Sequence, residues 1–177
     1  MASIFGHVAA STALGHTFFP DFTKKPGLLL IAGFCSFAPD LDVLAFRFGV
    51  SYASQWGHRG WTHSICFAIV FGALIAVVYD YLTNKGKPTI KTTLFLILCT
   101  LSHPLLDMLT NGGRGCALWW PISQERIFFP FRPIQVSPMG ISDFFTPWGM
   151  RVIVSEIWWI GLPAVAVVLI ARLRRNK

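Results

Sequence analysis

Residues 62–82 read THSICFAIVFGALIAVVYDYL, and from Ile65 to Tyr79 this stretch has no charged side chain. About 20 predominantly apolar residues are what an α-helix needs to cross the hydrocarbon of a bilayer. Comparable runs occupy residues 4–19, 28–46, 92–110 and 152–173. The first two are short or interrupted by polar residues, so either can tilt or re-enter. The pattern predicts an all-α polytopic membrane protein with about five transmembrane or partly re-entrant helices, built as a single membrane-embedded domain over 1–177.

Composition points the same way. Of 177 residues, 54% are hydrophobic and only 13% charged, with a mean hydropathy of +0.57. Soluble domains carry about 25% charged residues. The chain therefore has too few charges to cover a wetted surface, which excludes a soluble enzyme and a disordered tail. Phe (16) and Trp (7) are abundant, as expected where rings sit at a membrane–water interface. Cys35, Cys66, Cys99 and Cys116 form no C-x-x-C pair, so neither a disulfide framework nor a thiolate metal site is expected. No basic residue precedes Lys24, so the first apolar run lacks the positive n-region of a secretory signal and is expected to be retained.

Between the last two runs, residues 111–150 are rich in Gly, Pro and Trp. That segment is too aromatic for a solvated linker and is predicted to form an interfacial lid of turns and short strands. The net charge of +7 is read as topology, not as nucleic-acid binding. If the runs alternate, Lys24, Lys25, Lys85, Lys87, Lys91, Arg172, Arg174, Arg175 and Lys177 share one side. Arg47, Arg59, Arg114, Arg126, Arg132 and Arg151 share the other. The side with the greater Lys and Arg count is predicted to be cytoplasmic, with the carboxyl terminus on it.

Ionisable residues then gather at the outer ends of the runs. His7, the pair Asp40 and Asp42, the pair His58 and His63, and the pair His103 and Asp107 come from four different segments. Such groups are costly in a membrane and usually face a protein interior or a polar cavity. Imidazole plus carboxylate is the donor set of a metal site. His103 and Asp107, at i and i+4, share one helical face, and Pro104 loosens the turn beside them. Asp40 and Asp42 share a face if Pro39 keeps that segment extended; otherwise Asp42 orients a histidine or acts as a general base. Gly57 and Gly60 place His58 in a loop and His63 at a helix start. Arg59 suits a substrate phosphate. Glu156 either completes the metal site or pairs with Arg126 or Arg151. His16, about 13 Å further along its helix than His7 at 1.5 Å per residue, is expected to be structural. Asp21 and Asp80 are expected to be solvated ends.

The stretches APDLD (38–42), GHRGWTHS (57–64), SHPLLDMLTNGG (102–113) and WWPISQERIFFPF (119–131) together resemble the YdjM/YbcI family of small bacterial inner-membrane proteins, nearly end to end. The resemblance implies an inner-membrane location and a metal-dependent hydrolase. The H-x-x-x-D at His103 and Asp107 is also similar to one element of zinc-dependent phospholipase C, but the later H-x-x-x-E of that fold is missing. One or two ions are therefore expected instead of three.

The expectation is a hydrolase acting on a phosphoester of a lipid or lipid-linked molecule, with its site facing the periplasm. A divalent metal, Zn²⁺ by its donor set, would be held by His7, Asp40, His58, His63, His103 and Asp107, with Asp42, Arg59 and Glu156 in catalytic roles. Membrane lipids and a lipid-like substrate are the expected partners. The alternative is a non-enzymatic metal-binding protein, transporter-like or regulatory. A conduit is disfavoured by the continuous apolar runs FAIVFGALIAVV and GLPAVAVVLIA. A zincin-type protease is excluded because there is no H-E-x-x-H.

Overall fold

In the computed structural model, residues 1–83 and 86–176 are described; Lys85 and Lys177 of the basic count lie outside the described residues. The chain runs α1 (Ile4–Phe18), α2 (Pro26–Phe37), α3 (Ile65–Thr83), α4 (Ile90–Met108), the single turn α5 (Ile141–Phe144), α6 (Pro147–Glu156) and α7 (Leu162–Arg175). The described residues contain no extended strand. Four segments are long and apolar enough to cross a membrane: Pro26–Phe48, Ile65–Thr83, Ile90–Met108 and Pro147–Arg175. With its 15 residues, α1 reaches only about 22 Å, short of the roughly 30 Å hydrocarbon core.

Local chemistry sets the element ends. The Ser3 hydroxyl caps α1 by accepting from Gly6 N–H, and Thr146 caps α6 in the same way from Trp148 N–H. Pro26 and Pro147 open their helices, where the missing N–H costs nothing. Pro163 follows a π turn over Ile157–Gly161 that joins α6 to α7, a usual accommodation of a proline inside a long helix.

Packing is closest between α3 and α4. A Cβ at Gly72 would come within 2.6 Å of Ile97 Cα and 2.7 Å of Ile97 N, so only glycine allows this backbone approach. Small residues at Ala68, Gly72 and Ala76 make the buried stripe of α3, the usual device where lipid offers no hydrophobic drive for helix pairing. Asp80 ends that stripe. Contrary to the solvated role expected for it, Asp80 is fully buried and accepts from Thr89 N–H (2.6 Å) and Thr89 Oγ1 (3.0 Å). Those bonds tie the start of α4 back to the end of α3.

Two places decide the site. The segment Ala38–Phe48 continues α2 as a 3₁₀ helix, not as the extended segment that would have put Asp40 and Asp42 on one face. The second is the 111–150 segment, which folds over the helix ends through single bridges, Thr110 to Ile134 and Cys116 to Ile127. It supplies partners for helix-end backbone groups: Ile65 N–H donates to the Leu118 carbonyl and Phe129 N–H to the Met108 carbonyl. Those groups have no partner within their own helices, so the lid is held by obligatory hydrogen bonds. All four cysteines are free thiols, with Cys35, Cys99 and Cys116 buried.

Candidate metal centre

The start of α1, the 3₁₀ segment after α2, the turn before α3 and the end of α4 meet under the lid. His7, His63, His103 and Asp107 are fully buried, and Asp40 is 6% exposed. One atom each from Asp40, His63, His103 and Asp107 lies within 4.8 Å of the others, and a second group joins Asp42, His58 and His63.

Hydrogen bonds fix which ring nitrogens face inward. His103 Nδ1 lies 2.8 Å from the Ser36 carbonyl oxygen; a carbonyl only accepts, so Nδ1 carries the proton. Thr62 Oγ1 donates to Asp42 Oδ2 (2.6 Å), leaving it an acceptor 3.0 Å from His63 Nδ1. Asp42 Oδ2 is also 3.3 Å from that nitrogen. His63 Nδ1 is therefore the donor as well. In the neutral rings both Nε2 atoms are bare lone pairs, and they point at each other across 3.0 Å.

Carboxylate oxygens close the same space. Asp40 Oδ1 is 3.5 Å from His63 Nε2 and 3.4 Å from His103 Nε2. Asp107 Oδ2 is 3.6 Å and 4.0 Å from the same two atoms. Donors arranged tetrahedrally at Zn–N distances of about 2.0–2.1 Å would be roughly 3.3–3.4 Å apart, so the set has the dimensions of a cation's coordination shell. His7 approaches from the other side, its ring stacked on His103 at 3.9 Å, with Nε2 3.5 Å from Asp107 Oδ1 and 4.0 Å from Asp40 Oδ2. Both ring nitrogens of His7 and both oxygens of Asp40 are buried without a hydrogen-bond partner among the described residues. A buried unpaired polar group costs about 1–3 kcal/mol, and four in one place call for a partner such as a water or an ion. This buried Asp/His cluster can hold a metal ion.

Charge at its rim agrees. Burial pushes the His58 imidazole below the ordinary histidine value, against the pull of its Asp42 partner. Burial acts on His63 in the same sense, but Asp107, Asp40 and Asp42 outweigh it and hold His63 well above that value. Three carboxylates favour positive charge at this one point.

Against this geometry, two comparisons with known proteins carry weight. The sequence model of the YdjM inner membrane protein family matches residues 1–176.

The chain belongs to the YdjM family.

The inner membrane protein YbcI of Escherichia coli (strain K12) is 44% identical over 141 residues, which are 79% of this chain and 80% of that protein. No solved structure matches the chain. Its family and its apolar helices make this YdjM protein a multi-pass protein of the inner membrane.

Of the other site residues of this YdjM protein, Asp42 takes the orienting role that was one of its two expected ones, whereas Arg59 and Glu156 fall elsewhere. Asp40 and Asp42 do not share a face. Along a 3₁₀ helix they diverge, and His63 sits between them, with Nε2 toward Asp40 and Nδ1 toward Asp42. Asp42 also accepts from His58 Nδ1 (2.7 Å) and from Arg59 N–H (3.2 Å), so it aligns two histidines at once. Arg59 does not face a substrate. Its guanidinium is fully buried, with Nε 3.0 Å from Asp107 Oδ2, Nη1 2.9 Å from the Gly112 carbonyl and Nη2 2.9 Å from Thr110 Oγ1. Its φ of 64° lies in the left-handed region, a strain of about 1–3 kcal/mol kept only where surroundings over-determine it. Arg59 thus orients Asp107, together with the Ala2 N–H, which donates to Asp107 Oδ1 at 2.7 Å.

Glu156 stays outside the cluster: both its oxygens accept from Ser3, one from the backbone N–H and one from the hydroxyl. It pairs with neither Arg126 nor Arg151, and instead pins the start of α1. Arg126 holds the His58 loop through the carbonyls of His58 (2.6 Å), Tyr52 (3.0 Å) and Ser54 (2.9 Å). Ser36, Thr62, Thr110 and Arg126 were invisible as site residues in the sequence. Only the adjacency of Thr62 to His63 offered a local signal.

Proposed function

We propose that this protein is a membrane-embedded metal-dependent hydrolase that cleaves a phosphoester of a lipid or lipid-linked molecule at the outer face of the inner membrane. The observation that carries the reading is the pair of Nε2 atoms of His63 and His103, set 3.0 Å apart between Asp40 and Asp107 with both Nδ1 atoms engaged elsewhere. Asp40, His63, His103 and Asp107 would hold the ion. His7, with the remaining oxygens of the two aspartates, would hold a second one or complete the first. Two imidazoles and two carboxylates suit Zn²⁺. When bound, such an ion supplies Lewis acidity that brings the ionisation of water down toward about pH 7.

The protein's own contribution is positioning. Asp42 and Thr62 fix the His63 ring, the Ser36 carbonyl fixes His103, and Arg59 with the Ala2 N–H fixes Asp107. His58 is at the rim, with Tyr52 edge-on to it at 5.3 Å and the Arg114 guanidinium 5.8 Å from the Tyr52 ring on the exposed side. An amphipathic substrate would suit a site under an aromatic lid at the end of a helix bundle better than a soluble one. The excess of Lys and Arg at the opposite end supports a periplasmic site and a cytoplasmic carboxyl terminus.

The test is elemental analysis of detergent-purified protein, followed by hydrolysis assays on a chromogenic phosphodiester and a panel of lipid phosphoesters. One to two zinc ions per chain and chelator-sensitive turnover are expected. Metal-free protein that is folded and equally active would overturn the reading.

A further inference from the structure

At the end of the bundle away from the metal centre, α1 and α7 leave a gap between them. Ala9, Ala13, Gly161, Ala164 and Val168 line part of a groove of about 410 Å³. Beside it is a second cavity, of about 310 Å³, lined by His16, Pro20, Thr23, Arg172, Arg175 and Asn176. His16 and Arg172 belong to both linings, so the two adjoin at these residues, the first apolar along the helices and the second polar.

The polar mouth is built for an anion. Its ionisable members are His16, Arg172 and Arg175, with no carboxylate in the lining. Arg175 uses Nη2 on the His16 carbonyl (2.6 Å) and Nε on the Ala171 carbonyl (3.1 Å). Arg172 Nη2 lies 3.4 Å from His16 Nδ1. A guanidinium carries five N–H donors in a planar fork, so both side chains are steered into place with donors to spare. Arginine forks match phosphate oxygens.

We propose that this α1–α7 cleft is a binding site for an anionic phospholipid, with the headgroup phosphate on Arg172 and Arg175 and one acyl chain along the groove. Charge complementarity selects the headgroup, and the polar mouth lying directly beside an apolar groove selects a lipid over a free phosphate. Basic pockets between membrane helices bind anionic headgroups by this combination. The headgroup mouth is separate from the metal centre, since His16 is nine positions along α1 from His7, about 13 Å. It does not depend on hydrolase activity.

The test is native mass spectrometry of the full chain in mild detergent, titrated with dioleoyl phosphatidylglycerol or dioleoyl phosphatidylcholine. Phosphatidylglycerol is expected to bind at least about 10-fold more tightly. Arg172→Gln should weaken it about fivefold and Arg172→Gln/Arg175→Gln about 25-fold, from roughly fivefold per basic side chain near the headgroup. Among the described residues Arg172 donates to no backbone carbonyl and meets only the His16 ring, so the single variant keeps the fold if the double variant does not. Ala164→Phe fills the groove without changing charge and should also weaken binding, while glycerol 3-phosphate should not displace the lipid. Unchanged binding in Arg172→Gln, unchanged binding in Ala164→Phe, or displacement by equimolar glycerol 3-phosphate would each overturn the proposal.

Discussion

His63 Nε2 and His103 Nε2 face each other across 3.0 Å with their Nδ1 protons committed elsewhere, His63 toward Thr62 and Asp42 and His103 toward the Ser36 carbonyl. Two lone pairs held this close repel unless a proton or a metal cation lies between them. The fold holds the two atoms together through Asp42, Thr62 and Ser36, so the preference for a proton or a cation between them is a property of the packed structure.

The first expected outcome follows from that pair. His63→Ala and His103→Ala should each lower metal affinity by well over the roughly 10–100-fold that loss of a supporting partner costs. His16→Ala is the control, because its ring lies beside Arg172 at the other end of α1. It should leave metal content at the wild-type level and cost no more than about 1 kcal/mol in stability. Elemental analysis of the three proteins at matched folding decides the matter. Equal metal loss in His16→Ala would mean that the binding path crosses the bilayer.

Asp40 and Asp42 should separate in the same assay. Asp40→Asn removes a carboxylate aimed at both Nε2 atoms and should abolish tight binding. Asp42→Asn keeps the shape of a residue that aligns His58 and His63, and should weaken metal binding by about 10–100-fold. Isothermal titration with Zn²⁺ gives both values; a larger loss in Asp42→Asn would make Asp42 the ligand.

Arg59→Ala is expected to act on folding before it acts on chemistry. It leaves Asp107 as a buried charge without its guanidinium, which typically costs about 3–5 kcal/mol. Thermal unfolding of the variant in detergent, without substrate, should show a large drop in midpoint. A wild-type midpoint with loss of turnover alone would return Arg59 to a substrate-facing role.

Two glycines in apolar helices give opposite expectations. Gly72→Ala pushes a methyl into the α4 backbone at Ile97, and should destabilise by about 1–3 kcal/mol. Gly27→Ala, at a position with nothing within 4 Å of the added Cβ, should be neutral or stabilising by up to about 1 kcal/mol. Chemical denaturation of both variants checks the difference, and equal effects would mean that the α3–α4 contact yields to the added methyl.

The orientation has its own check. A reporter fused at the carboxyl end should behave as cytoplasmic, because Lys24, Lys25, Lys87, Lys91, Arg172, Arg174 and Arg175 lie at helix ends away from the metal centre and such residues resist translocation. Periplasmic activity of an intact fusion would place the metal centre on the cytoplasmic face.

The sequence by itself determined the helical membrane architecture, because exposure to hydrocarbon is decided run by run and needs no partner. It also determined that His7, Asp40, His63, His103 and Asp107 come to one end, because alternating helices carry their ends to alternate sides. The i, i+4 pairing of His103 and Asp107 was legible for the same local reason. Three things were decided only by the tertiary structure. His63 takes Asp40 on one nitrogen and Asp42 on the other because Ala38–Phe48 winds as a 3₁₀ helix, where residues two apart diverge. Arg59 turns inward because Asp107, Thr110 and Gly112, all about 50 residues away in sequence, offer it acceptors that no local pattern announces. Glu156 leaves the site because Ser3, 153 positions away, takes both its oxygens. A buried charge goes to whichever partners the packed helices bring within hydrogen-bond reach, and that distance exists only once the chain has folded.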